Sequence, residues 1–445
     1  MRPFVRAINM YGGHNVSAVE GPDRTCPQCE ALIPVLPGYP DWCDRCGWNL
    51  HPPPTLEPPG GRFTRLARAL GRRSGERMAR QLLNARTLGP RWTPARIAAY
   101  AIAIAVHLVT LALIVAGIAA IVVDFPNLLG ILIGVTLVGV GLLMRPQLAT
   151  LDPHHGHVLG VTAAPALHNL AAEVAGALER CPPDEIRISA EWNASWRVVG
   201  LRRRRVLILG LPLLTALAPD ERVALLGHET GHERNGDARH GLIVGSAVIG
   251  LNRLSELLRP APERDADFLV QSEIGGIHWL SGAFMWVVSR PVDGVLWLEA
   301  RLLLRDMQRA EYLADALAAR VAGSRATIAL HERILLASTF ALVVQQAAHE
   351  DAGDVLDRLR LSLQLVPDRE RERRRRVARL EQARLDDTHP PTGMRIALIE
   401  GRPAQVPRIW LDNDRSHRID AELEPLAGVI DRELLDRHRS RLYYG

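Results

Sequence analysis

The chain has 445 residues, 47% of them hydrophobic, and its 54 basic and 49 acidic side chains leave a net charge of only +5. That length has room for two or three domains with a sizeable core, and so small a net charge assigns no partner by itself, so local charge runs carry the information. Of five cysteines, four fall in two close pairs, which argues against a disulfide framework and for metal binding in a reducing compartment.

Residues 1–20 form an N-terminal tail with neither an apolar core nor a small-residue cleavage site, so no secretory signal is visible. Residues 21–52 are then expected to fold as a zinc ribbon. Cys26-Pro27-Gln28-Cys29 and Cys43-Asp44-Arg45-Cys46 each offer two thiolates from a tight turn, and Gly47 permits the left-handed backbone that follows such a turn. Redox dithiols are the rival reading, but they need only one such pair. A closed four-cysteine site would be structural, and the few basic residues between Cys26 and Cys46 favour a protein partner for the ribbon over nucleic acid.

Residues 53–96 continue the Pro/Gly-rich linker begun at His51 and lead into a basic segment, where ten arginines from Arg62 to Arg96 meet one acid, Glu76. Phe63, Leu66 and Leu70 recur at helical spacing, which suits an anionic membrane surface, with nucleic acid as the competing partner. The stretch that follows decides for the lipid bilayer. Residues 97–145 read as a transmembrane hairpin, its arms Ile97–Val123 and Leu128–Met144 uncharged and its turn at Asp124–Asn127. Arginines outside both arms and none in the turn place both flanks in the cytoplasm. His107 is expected to bond across to the second arm, and Gly130 and Gly134 allow close packing.

Residues 146–400 are expected to form the main domain. An alanine-rich helix around Asn169–Leu178 precedes three short strands at Glu185–Ser189, Ser195–Leu201 and Arg204–Leu209. A helix then starts at Pro219 with Asp220 and Glu221 in its first turn. His228 and His232 stand four residues apart on one face of it, the spacing for two ligands on one Zn²⁺, with Glu229 one residue round to reach a water beside the ion. Gly227 and Gly231 weaken this helix, which makes sense if another backbone comes close. A third ligand belongs on a separate element. Glu311, with Asp315 four residues on, is the candidate, Asp315 accepting a hydrogen bond from the outer nitrogen of a ligating histidine. An exposed acidic stripe is the alternative for that pair. The apolar runs Gly241–Leu251 and Gly275–Ser289 are short for membrane spans and fit buried or interfacial helices better. Arg369–Arg384 reads as a solvated helix near headgroups, and residues 401–445 as a C-terminal tail without motif.

Three signatures occur in order: His228-Glu229-x-x-His232 followed by Asn235-Gly236-Asp237, then Glu311-x-x-x-Asp315, then Thr388-His389-Pro390-Pro391-Thr392-x-x-Arg395-Ile396. Together they resemble the M48 family of zinc metallopeptidases, the HtpX-like gluzincins, over roughly residues 150 to 400. The resemblance implies a gluzincin-type α+β peptidase domain and a mainly α, membrane-anchored chain. It implies peptide hydrolysis through a zinc-activated water, with Glu229 as proton carrier and His389 or Arg395 stabilising the oxyanion. It also implies a substrate-binding strand edge at Asn193, Ala194, Ser195 and Trp196, hence broad specificity for polypeptides. One catalytic and one structural Zn²⁺ would be bound, the latter by Cys26, Cys29, Cys43 and Cys46. The expected setting is a multi-pass cell-membrane protein with ribbon and catalytic domain on the cytoplasmic side, engaged in membrane-protein quality control. A non-catalytic membrane adaptor recruiting proteins through its ribbon is the competing function.

Overall fold

The structure is a computed structural model that describes residues 21–50, 62–85, 88–89, 92–146, 152, 155–200, 202–235, 240–259, 275–381 and 389–444. The N-terminal tail, the linker, Gly236, Asp237 and Thr388 lie outside the described residues.

β1 (Gly21–Thr25) and β2 (Leu32–Val35) form an antiparallel hairpin that carries the first cysteine turn. Cys26, Cys43 and Ile33 are buried between the two turns, and Gly47 adopts φ +73° where the sequence called for left-handed backbone. The ribbon is docked on its own chain. Trp42 is buried beneath Arg369 and Arg376 of a later helix, whose guanidinium carbons stand 4.7 and 5.1 Å from its ring. Both arginines also donate to ribbon carbonyls, Arg369 to Trp42 and Arg376 to Asp44, at 2.6 Å each. The expectation of a solvated helix near headgroups is therefore corrected: much of its charge neutralises carboxylates of its own chain and caps ribbon carbonyls.

The basic segment forms α1 (Arg62–Leu83). Its second half does not lie open to a membrane surface as expected, because Met78 and Leu82 are buried against Tyr312 and Leu398 of the main domain. α2 (Pro94–Val123) begins as its sequence requires, with Thr93 capping the Arg96 N–H and proline in the first turn. α3 (Leu128–Leu143) packs back along it where Gly117 meets Gly134: a Cβ on either would come within 2.7 Å of the other's carbonyl oxygen. With 16 residues α3 reaches about 24 Å, a little short of the ~30 Å hydrocarbon layer, a mismatch that local thinning of the bilayer accommodates. Among the described residues, the helices long and apolar enough to span are α2 and an 18-residue one, Gly241–Leu258, with the bent pair Ser324–Ile334 and Ala337–Glu350 a third if counted as one span. That second helix runs through Arg253 and Glu256, so the uncharged run seen in the sequence understated its length. It opens with a π-helical turn, Gly241–Gly245, and continues as α7 (Ser246–Leu258). His107 bonds to Ile243 O in that turn at 2.9 Å, rather than to the second hairpin arm as expected.

The main domain holds a four-stranded sheet in the order β3 (His157–Leu159), β4 (Glu185–Ser189), β6 (Arg204–Gly210), β5 (Ala194–Val199). β4 and β6 are parallel, and β5 runs antiparallel to β6 at the edge. β6 ends in the continuous apolar run Val206–Leu209, buried on both faces, whereas β4 alternates, with Ile186 and Ile188 buried and Glu185 and Arg187 half-buried. α4 (Pro165–Ala177), α5 (Leu211–Ala216) and α6 (Pro219–Asn235) build the core around Ile186, Ile188, Leu207 and Leu209. α8 (Gly275–Ala322) is a 48-residue helix that continues through Pro291 from the apolar run read at Gly275–Ser289 to the acidic pair. Gly323, at φ +89°, reverses the chain into α9 (Ser324–Ile334). α10 (Ala337–Glu350), α11 (Val355–Gln364), α12 (Asp368–Leu380) and α13 (Thr392–Glu400) follow. The residues read as a motif-free tail form α14 (Asn413–Tyr444), whose Ile419, Leu423, Ile430 and Leu434 are part of the main core.

Candidate metal centre

α6 is fixed at its start. The Glu221 carboxylate accepts from the Ala218 N–H at 2.9 Å, as a capping box does, and Arg222 reaches α14 through Asp420 at 2.7 Å and Ser416 at 3.2 Å. Further along, Gly227 and Gly231 face α8 with no side chain between. A Cβ on them would lie 3.1 Å from Ala318 Cα and 2.9 Å from Ala314 Cα. This is the close backbone approach that their unfavourable helix propensity suggested.

The approach brings three donors together. His228 Nε2 and His232 Nε2 are 3.2 Å apart, and each is 3.6 Å from an oxygen of Glu311. Tetrahedral zinc with bonds near 2.0–2.1 Å would set its ligand atoms roughly 3.3 Å apart. Glu311 is buried, and its Oε2 makes no hydrogen bond although Arg395 Nη1 is 3.0 Å away. A buried carboxylate beside two imidazole nitrogens is the donor set that zinc fits.

Asp315 stands behind this set, almost fully buried. It accepts from His228 Nδ1 at 3.0 Å, which leaves Nε2 of the same ring turned toward Glu311. Arg395 grips Asp315 with two hydrogen bonds of 2.8 and 2.7 Å. His331 Nε2 adds a third donor at 3.0 Å. Burial alone would raise the Asp315 and Glu311 carboxyls, yet Arg395 together with His331 and His228 at Asp315, and with His389, His228 and His232 at Glu311, outweighs it and holds both well below the usual carboxylate range. Burial keeps His331 below its ordinary value against the pull of Asp315. His389 Nδ1 lies 2.9 Å from Glu311 Oε1, with its ring largely exposed.

The sequence-selected residues His228, His232, Glu311, Asp315, His389 and Arg395 thus converge, and Glu229 is buried on α6 beside them. The acidic-stripe alternative for Glu311 and Asp315 fails, since both are buried. Arg395 is committed to Asp315 by two hydrogen bonds and to Glu311 by an ion pair. His331 was not singled out in the sequence; no spacing links it to the other motifs, and only the turn at Gly323 brings α9 back over α8. Asn193 and Ala194–Trp196 lie at the head of edge strand β5, which packs beside α6.

The ribbon makes a second, separate donor set. Cys26 and Cys46 sulfurs are 3.6 Å apart and those of Cys29 and Cys43 3.5 Å, all four within 4.8 Å of one another. Backbone N–H groups of Cys46 and Arg45 lower the Cys43 thiol to about 7, toward the thiolate that binds metal.

The sequence model of peptidase family M48 matches residues 163–403, more than half of the chain and the stretch that carries the whole His/Glu centre. The chain belongs to peptidase family M48. Membership makes it a metallopeptidase acting on polypeptides, with a metal, usually zinc, at the family's site. The M48 match starts beyond the ribbon and beyond α2 and α3, which lie outside the matched residues. No curated protein and no solved structure matches this M48 chain.

Proposed function

We propose that this M48 chain is a zinc-dependent endopeptidase anchored in the cell membrane, with ribbon and catalytic domain on its cytoplasmic side. The observation that carries the reading is the donor triangle of His228, His232 and Glu311, within 4.8 Å and backed by a buried Asp315. Zinc held there would supply Lewis acidity toward a peptide carbonyl and an acidified water. Asp315 keeps the His228 ring in the tautomer that presents Nε2, and Arg395 keeps Asp315 charged and in place. Glu229 takes up the water's proton and returns it to the leaving amine. The free edge of β5 beside α6 offers backbone N–H and C=O groups to an extended substrate, with Asn193, Ala194, Ser195 and Trp196 nearest its start. His389, exposed at the centre, is the group left to meet the oxyanion.

Anchoring is supported by the exposed apolar side chains of α2 and α3, among them Leu108, Leu111, Val115, Leu129 and Leu132. Trp286 and Trp297 on α8 are also exposed, with Arg290 and Arg301 stacked on them at 5.0 and 4.3 Å, a pairing suited to the headgroup layer. The ribbon touches the catalytic domain, so the two share one side of a bilayer, and the reduced cysteines favour the cytoplasm.

The test is cleavage of an unfolded protein by the detergent-purified chain. Chelator should stop it, and Glu229→Gln should lower the rate by about 10²–10⁴ while zinc content stays unchanged. Undiminished cleavage by Glu229→Gln would remove Glu229 as the proton carrier.

A further inference from the structure

A cleft of about 890 Å³ opens between the ribbon and the catalytic domain. Gly38, Tyr39 and Pro40 of the ribbon line it together with residues of α10, α12 and α14 and with Glu191 and Trp192, which precede β5 in the chain. The volume lies near the top of the ~300–1,000 Å³ range of small-molecule pockets, room for a chain segment of several residues. Trp192 and Phe340 stack within it, rings 5.1 Å apart and 20° from parallel, and Leu342 and Leu365 are exposed along it. Its charged lining is Arg373, Arg374, Arg437 and Arg441, with His438, against Glu191 and Glu370; Arg437 also pairs with Glu433 at 3.4 Å, so the basic excess is modest. Arg373 and Arg374 both bind Glu370, at 2.6 and 2.7 Å, which fixes them in the wall.

Two features join this cleft to the strand edge. Glu191 and Trp192 directly precede Asn193 and Ala194, so a polypeptide laid along β5 and leaving at its start enters the cleft. The connection is also rigid: the Asn193 carbonyl accepts from Gly210 N at 2.9 Å, and a Cβ on Gly210 would fall 1.8 Å from the Glu191 carbonyl oxygen. A small molecule or a lipid would explain the volume but not this continuity.

We infer that the cleft roofed by the ribbon is a second binding site for the substrate polypeptide, holding an extended flank rich in aromatic and acidic side chains beyond the scissile bond. The inference rests on the endopeptidase reading. The ribbon then acts as one wall of the substrate path, and its docking by Arg369 and Arg376 sets the width of that path.

The experiment takes a cleavage site found in unfolded casein. It compares a short labelled peptide spanning that site with versions extended on either side by acidic and aromatic residues or by glycine and serine. Fluorescence anisotropy on full-length Glu229→Gln reads binding without cleavage. The acidic-aromatic extension on one side should tighten binding by about tenfold, equal to about 1.4 kcal/mol. Ala341→Trp, which fills the cleft from an exposed position on α10, should remove that gain and leave the short peptide unchanged. Tyr39→Ser, which removes bulk and cannot jam the fold, should also reduce it. No tightening on extension, equal tightening by glycine and serine, or a gain that survives both variants would overturn the inference. Cleavage of the short peptide alongside any of those results would leave the endopeptidase reading standing. Absence of both cleavage and binding would sink the two together.

Discussion

Asp315 concentrates the residue-scale argument. A carboxylate this deeply buried is tolerable only because His228, His331 and Arg395 surround it with donors. Its acceptance from His228 Nδ1 is also what presents Nε2 to a metal, so the side chain acts through its neighbour. Asp315→Asn keeps the shape but loses the charge that sets the tautomer, and zinc affinity should fall by ~10–100-fold, read by competition with a chelating dye. Unchanged affinity would mean that helix packing alone orients the ring. The sequence announced Asp315 through its four-residue offset from Glu311, whereas His331 had no such marker. A histidine between apolar neighbours on an amphipathic helix looks the same whether or not a carboxylate waits across the interface.

At the scale of elements, α6 and α8 are pressed together along Gly227, Gly231, Ala314 and Ala318. Gly231→Val would force the helices apart at the level of the ligands. Stability should drop by about 1–3 kcal/mol, and zinc content of the purified protein should fall with it. Full zinc occupancy at unchanged melting temperature would show that the interface can give. α14 offers a pH-dependent test. The Asp431 carboxylate accepts from the Leu356 N–H at 3.1 Å at the head of α11, yet burial pushes its pKa up from 3.8 to about 6. A raised carboxyl favours its protonated form in the fold. Its contribution is therefore fully present below the unfolded value and is lost as pH rises through about 6. Asp431→Asn keeps the acceptor without the charge, so it should stabilise the chain above pH 6 and lose that advantage toward pH 4. Two pKa units correspond to roughly 3 kcal/mol, which solvent screening reduces to about 1 kcal/mol. Melting curves from about pH 4 to about pH 8 check this, and a constant difference across that range would refute it.

For the whole molecule, the docked ribbon changes what the N-terminal region means. As a free module it would recruit partners; held on α12 by Arg369 and Arg376, it completes a surface of its own chain. Its cysteine cluster and the His/Glu centre are separate donor sets, so metal analysis should give two zincs per chain and His228→Ala should retain one. A single zinc in the wild type would remove one of the two sites. The same architecture redraws the membrane region. α2 pairs with the short α3 through glycines and with the helix Gly241–Leu258 through His107, and α8 continues from that bundle directly to Glu311. One continuous helix thereby connects the apolar bundle to the metal centre.

The sequence by itself determined the local chemistry: the two cysteine turns, the start of α6, His228 and His232 on one helical face, the apolar length of α2 and the three central strands. Each of these depends on residues close together in the chain, where helical or strand period and turn geometry leave few options. Only the tertiary structure decided that the arginine-rich α12 clasps Trp42, that α14 belongs to the core, that the helix Gly241–Leu258 outruns its uncharged stretch, and that His331 and Arg395 meet on Asp315. Those outcomes turn on which faces meet across tens or hundreds of residues. An amphipathic or charged stretch looks the same in sequence whether water, lipid or another part of the chain covers it.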